Sequence, residues 1–132
     1  IWKGLMDEFG NVNSNYGYQW KRSNQLSRVI QMLKDIPSTR RASISIYDGK
    51  ELDLYALDTP CTYSVNFYKD KNNSLSMQVL MRSNDLVYGF CNDQYCFSKL
   101  QEKIALELNI ETGWYYHFAN NLHIYKQHFN KM

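Results

Sequence analysis

Cys61, directly after Pro60, is the side chain best suited to covalent chemistry in this sequence. Proline pushes Thr59 into an extended conformation and sets up strand entry at Cys61. Residues 62–68 (T-Y-S-V-N-F-Y) and 74–82 (S-L-S-M-Q-V-L-M-R) have the composition of paired strands, joined by the turn-forming K-D-K-N-N. With that turn centred near Lys71, facing residues sum to about 142, so Cys61 lies across from Met81 or Arg82. A guanidinium beside a thiol favours the thiolate, the form that attacks carbon. The competing reading is a small buried apolar residue, the common fate of a free cysteine.

Four further groups carry polar chemistry, each with a plain structural alternative. Arg40 and Arg41 follow Ser38 and Thr39 just before a strand, a set of donors that suits phosphate oxygens. On a strand the two arginines point to opposite faces, and a solvated loop pair explains them equally. R-S-N-D (Arg82, Ser83, Asn84, Asp85) closes the second hairpin strand, a usual place for sites and for ordinary turns. Asp93 is expected in the first turn of a long helix, as a cap or as a functional acid. His123 and Tyr125, two apart, share a face if they lie on a strand, where they can hold a sugar hydroxyl. His117, His123 and His128 lack an i, i+4 pair and the cysteines lack a C-x-x-C, so no metal is expected.

The elements that must position these groups are legible in the periodicity. Leu26, Val29, Ile30 and Leu33 mark one face of a helix, with Ser23 as its N-cap and Pro37 beyond its end. The first twenty residues read as loop. Ala42, Ile44 and Ile46 alternate with polar neighbours at strand period. A second helix is expected from Asn92 or Asp93, burying Phe97, Leu100, Ile104 and Leu108. The rest reads as a strand and loop running into a short last helix. Strands mixed with helices predict an α/β or α+β fold built on one large mixed sheet.

Composition narrows the function classes. The chain has 132 residues with 15 basic and 13 acidic side chains, enough for one domain over 1–132. A net charge of +2 gives no footprint for nucleic acid or a membrane surface, and no apolar run approaches the ~20 residues of a spanning helix. Three unpaired cysteines predict a reduced, cytoplasmic protein rather than a disulfide framework. Aromatics reach 15%, including eleven tyrosines, rings that must pack or line a site. The chain opens at Ile1 in mid-pattern, from which a fragment of a longer protein is expected.

Taken in order, I-W, Y-G-Y-Q-W (Tyr16 to Trp20), S-T-R-R (Ser38 to Arg41), P-C-T (Pro60 to Thr62), R-S-N-D-x-x-x-G (Arg82 to Gly89) and L-H-I-Y (Leu122 to Tyr125) resemble the thymidylate synthase family. Within it, N-S-N-Y-G, M-R-S-N-D-L-V-Y-G-F-C-N-D and L-H-I-Y-K-Q-H-F are most similar to phage deoxycytidylate hydroxymethylases. Where a thymidylate synthase carries P-F-N, whose Asn reads uracil, this chain has Cys91, Asn92 and Asp93. Cytosine offers an amino donor at C4 and an acceptor at N3. A carboxylate accepts from the amine, and one shared proton satisfies N3.

The resemblance implies a 5-hydroxymethyl transfer from 5,10-methylenetetrahydrofolate to dCMP, without a metal. It implies a catalytic set of Cys61, which adds to C6, with Asp93, Tyr16 and Asp85. Arg82 and Ser83 would hold the phosphate, and His123 with Tyr125 the 3′-hydroxyl. Arg40 and Arg41 would act across a homodimer interface. Trp2, Asp85, Tyr88 and Gly89 would lie near folate. The implied fold is thymidylate synthase-like, here without an N-terminal part that carries a glutamate and an arginine loop. Rival readings are a thymidylate synthase, a dUMP hydroxymethylase, or a truncated nucleotide-binding or assembly subunit without activity.

Overall fold

A computed structural model describes residues 2–6, 8–49 and 58–131. Helix α1 (Tyr16–Lys21) leads through a 3-10 turn (Arg22–Asn24) into α2 (Gln25–Asp35). Strands β1 (Ser43–Ser45), β2 (Thr62–Lys69) and β3 (Leu75–Met81) follow. After β4 (Asn84–Asp85) come α3 (Gly89–Leu108), β5 (Thr112–Ala119) and β6 (Leu122–His123), and a 3-10 helix, Lys126–Lys131, ends the described chain.

The main sheet has the order β1-β2-β3-β5, antiparallel except for the parallel pair β3–β5. A parallel neighbour needs a crossover, and α3 supplies it. One face of the sheet is the core. Ile44, Val65, Phe67, Met77 and Val79 meet Leu26, Val29 and Leu33 of α2, and Phe97, Leu100 and Ile104 of α3. The other face stays open, with Trp114, Tyr116 and Phe118 of β5 exposed in a row beside polar positions such as Gln78. The result is the expected mixed sheet with packed helices.

Several sequence expectations shift for identifiable reasons. The first twenty residues are not all loop: the Asn15 side chain accepts from Tyr18 N at 3.2 Å and so starts α1. Ser23 does not cap α2. It sits at φ 53°, and with Asn24 at φ 59° it makes the break between α1 and α2. The hairpin turn centres near Asn72, not Lys71, because Asp70 Oδ1 accepts from Asn72 N and Ser74 N and Asn73 takes the left-handed region. Val65 therefore faces Val79, but an irregularity between Thr62 and Ser64 returns Thr62 to Met81. Cys61 thus ends opposite Arg82, whose N–H donates to Cys61 O at 2.8 Å.

Helix α3 is anchored to the sheet by a buried amide. Gln101 Nε2 donates to Leu75 O at 2.8 Å and lies 3.3 Å from the carbonyls of Gly113 and Trp114. Replacing Gln101 with Leu removes that donor from a buried seam. The expected loss is about 1–3 kcal/mol of unfolding free energy in the native protein, read by urea denaturation. An unchanged midpoint and slope would mean that the amide does not hold α3 to β3 and β5.

Candidate functional site

Arg82 builds the site around the cysteine. Its Nε donates to Pro60 O at 3.0 Å and its Nη2 to Thr59 O at 2.9 Å, while Nη2 stands 3.8 Å from Cys61 Sγ. The guanidinium therefore clips the T-P-C bend onto the end of β3 and holds a half-buried thiol beside a positive charge. Burial nevertheless pushes the Cys61 thiol up, Arg82 pulls it down, and Asp93 and Asp58 push it up again. The guanidinium favours the thiolate as expected, but desolvation outweighs it and the thiol stays above its ordinary value.

Asp93 lies in the second turn of α3, because the helix begins at Gly89 rather than at Asn92 or Asp93. The first-turn cap role falls away. Its carboxyl is half-buried, and desolvation pushes it up from 3.8 to about 6. Its charge raises Tyr16, Cys61, Cys96 and Tyr115, so these five groups share one neighbourhood. Tyr16 opens α1, with its ring 5.3 Å from that of Phe97, and burial followed by Asp93 holds its phenol protonated. The thiol and the acid therefore act on each other's charge.

The sugar-binding and folate-binding candidates gather through a pairing that the sequence did not announce. Strands β4 and β6 are parallel, with Asn84 opposite Leu122 and Asp85 opposite His123, which brings R-S-N-D against L-H-I-Y. Ser83 Oγ lies 3.2 Å from His123 Nδ1. Tyr125 falls just past β6, not on it, yet its ring meets that of His123 edge-on at 5.0 Å. Asp85 is turned onto its own loop, with Oδ1 accepting from Val87 N and Oδ2 from Tyr88 N. Tyr88 is exposed, and its ring meets His128 at 4.8 Å. Gly89 is required by space: an added Cβ would stand 2.7 Å from Asn84 Oδ1 and 3.6 Å from Asp93 Oδ2. Trp2 lies in a 3-10 turn (Trp2–Gly4), and its side chain is outside the described residues.

Arg40 and Arg41 do not join this cluster. Both are exposed on the loop into β1. Ala42 O accepts from Phe67 N, so the loop meets β2 six residues beyond Cys61, roughly 20 Å along a strand. Neither guanidinium spans that distance to the cysteine of its own chain. A polar cavity of about 610 Å³ lies apart from the site, among Tyr18, Gln19, Arg22, Gln25, Ser45 and Tyr47.

Sequence reasoning passed over two contributors. His117 and Tyr115 alternate inward on β5, and only the parallel β3–β5 pairing places them near Asn84 and Asp93. Their places between Trp114, Tyr116 and Phe118, at strand period, were a usable signal. Among the described residues no group of three or more His, Cys, Asp or Glu is placed to hold a metal ion, and no helix is long and apolar enough to cross a membrane.

Comparison with known proteins gives a consistent picture. The family described as Thymidylate synthase matches residues 1–132. Thymidylate synthase of Bacillus licheniformis is 33% identical over 141 residues, covering 100% of this chain and 50% of that protein. Thymidylate synthase of Mycoplasma genitalium is 31% identical over 128 residues, covering 95% and 44%. Among solved structures, thermostable thymidylate synthase A from Bacillus subtilis superposes with a TM-score of 0.84 at 30% identity, covering 99% of this chain and 50% of that one. The chain spans about half the length of these relatives. With a whole-chain family match and a shared fold, this chain belongs to the thymidylate synthase family.

Proposed function

We propose that the protein carrying this chain is a dCMP 5-hydroxymethyltransferase that uses 5,10-methylenetetrahydrofolate. The observation that carries this reading is an acid, Asp93, whose charge acts on the Cys61 thiol; the resemblance puts it where uracil-reading relatives carry an amide. Cys61 Sγ adds to C6 of the pyrimidine and turns C5 into a nucleophile. Loss of the Cys61 proton is the uphill part of that step, and Arg82 at 3.8 Å offsets the charge it leaves on sulfur. Tyr16, a protonated phenol, assists as a proton relay rather than as a base.

The remaining roles follow the polar geometry. Arg82 and Ser83 hold the nucleotide phosphate, and His123 and Tyr125 the 3′-hydroxyl. The exposed Tyr88 ring and Asp85, next to Gly89 at the head of α3, suit a flat pterin. Methylenetetrahydrofolate supplies the one-carbon unit when bound, and water completes the hydroxymethyl group. The open aromatic face of the sheet supports a homodimer, and the ~20 Å gap within one chain favours Arg40 and Arg41 serving the phosphate of a second subunit.

A second reading is methylation of dUMP, favoured by relatives named thymidylate synthase. Turnover of dCMP against dUMP in the native protein separates the two. A preference for dCMP is expected, and Asp93→Asn should move the kcat/KM ratio toward dUMP by about tenfold or more. An unchanged ratio removes Asp93 from base recognition.

The chemistry of Cys61 is tested by Cys61→Ser, which should abolish turnover while dCMP binding persists. Retained turnover excludes the covalent adduct. Binding without turnover in the unaltered native protein would favour a non-catalytic subunit.

The acid also predicts a pH dependence. The bound pair of neutral cytosine and Asp93 holds one shared proton, which the free carboxyl supplies below about 6. Above that pH the proton comes from solvent, so dCMP affinity should fall roughly tenfold per pH unit. Calorimetry in buffers of different ionisation enthalpy should register about one proton taken up. A flat profile between pH 5 and 8, within the reach of a group titrating near 6, would contradict the shared proton.

A further inference from the structure

The N-S-N-Y-G run (Asn13 to Gly17) is tied to the cysteine bend by an acid, Asp58, that the proposed reaction does not use. Ser14 N donates to Asp58 Oδ2 at 2.8 Å, and Asn13 Nδ2 donates to Asp58 O at 3.2 Å. The same loop is locked to α1 behind it. Gln19, fully buried, donates through Nε2 to Asn13 O at 2.7 Å and lies 3.1 Å from Asn13 Oδ1. Asn15 then starts the helix by accepting from Tyr18 N. Loop and helix are one hydrogen-bonded unit, and Asp58 holds that unit against Thr59, Pro60 and Cys61.

Both ends of the tie lie close to the groups assigned to the reaction. Tyr16 follows Ser14 by two residues and Cys61 follows Asp58 by three, spans of at most about 7 and 11 Å of chain. Tyr16 opens α1, with its ring 5.3 Å from that of Phe97, so any shift of α1 moves the phenol. Arg82 grips the bend from the other side, through the carbonyls of Thr59 and Pro60. With the tie cut, Arg82 still holds the cysteine, and the part set loose is α1. The charge on Asp58 works against a Cys61 thiolate by pushing the thiol up. What the carboxyl contributes is therefore its acceptor oxygen.

We propose that Asp58 is a positioning residue: by accepting from Ser14 N it sets α1, and with it the Tyr16 phenol, against the bend that carries Cys61. The use made of Tyr16 and Cys61 rests on the reading given above, whereas the tie itself does not.

The tie is tested first by hydrogen exchange in the native protein. The Ser14 amide should exchange more slowly than an unprotected amide and quicken about tenfold or more in Asp58→Ala. In Asp58→Asn, whose side-chain oxygen still accepts, it should stay within about threefold of native. An unprotected Ser14 amide, or one that Asp58→Ala leaves unchanged, overturns the proposal. Turnover should follow the same order. Asp58→Ala should lower kcat about tenfold with KM for dCMP within about twofold, and Asp58→Asn should keep kcat near the native value. Equal losses in the two variants, or none in Asp58→Ala, overturn it. In a Tyr16→Phe background, itself slowed about a hundredfold, Asp58→Ala should cost less than about twofold. An undiminished tenfold cost there overturns the action through Tyr16. Should Asp58→Ala fail to fold, Asp58→Asn decides: fast Ser14 exchange or a tenfold loss of kcat overturns the proposal. Tyr16→Phe without effect on kcat, with Ser14 exchange as stated, would end the relay reading of Tyr16 and leave the tie standing.

Discussion

The clamp that Arg82 places on the Thr59, Pro60 and Cys61 bend is the constraint on which the site depends. One guanidinium donates to two backbone carbonyls, of Thr59 and Pro60, and keeps its charge against the sulfur. Its position follows from the register of β2 and β3, where the irregularity at Thr62 to Ser64 sets Cys61 against Arg82. Without it the register of Val65 with Val79 would carry Cys61 one residue further, to Ser83, and Arg82 would no longer stand opposite the thiol. The clamp also restricts what Arg82 can give a ligand, since Nε and one Nη2 contact are already engaged with backbone.

A second constraint acts where secondary structure is shortest. Strands β4 and β6 have two residues each, yet their parallel pairing brings together motifs about forty positions apart. Helix α3 starts hard against this pair because Gly89 lets its Cα pass Asn84 Oδ1. The early start moves Asp93 from a cap position to the second turn, where it faces inward. Local turn chemistry at Asp85 and a missing side chain at Gly89 thus decide which way the acid points.

Much of this was legible in the residues and some of it was not. The helix face of Leu26, Val29 and Leu33 and the hairpin follow from period and turn composition, which put Cys61 across from Met81 or Arg82; the irregularity that selects Arg82 did not show in them. The helix at Tyr16 was missed because its apolar positions are few, although Asn15 marks its start. The boundary of α3 was misplaced because Gly89 reads as a turn until its contact with Asn84 is known. Local patterning holds no information on parallel pairing, so the placing of Tyr115 and His117 behind Asp93 had to come from tertiary structure. The net rise of the Cys61 thiol was not legible, since a neighbour can be inferred from register, but the depth of burial cannot.

The acid at the centre of the site works against the fold that holds it. Raised from 3.8 to about 6, Asp93 binds its proton more tightly folded than unfolded. Stability is therefore undiminished below about 4, declines as pH rises through 6, and then levels. The cost at neutral pH is at most on the order of 3 kcal/mol, and solvent at the half-buried carboxyl screens part of it. An amide at the same place carries no such cost, and an exposed acid on the first turn carries none either. A half-buried carboxyl with no cation among the causes of its shift is stabilising only when something else supplies its proton or its hydrogen bonds. A ligand edge with a donor beside an acceptor does both at once, which turns a liability of the empty site into discrimination between two pyrimidines that differ at C4 and N3.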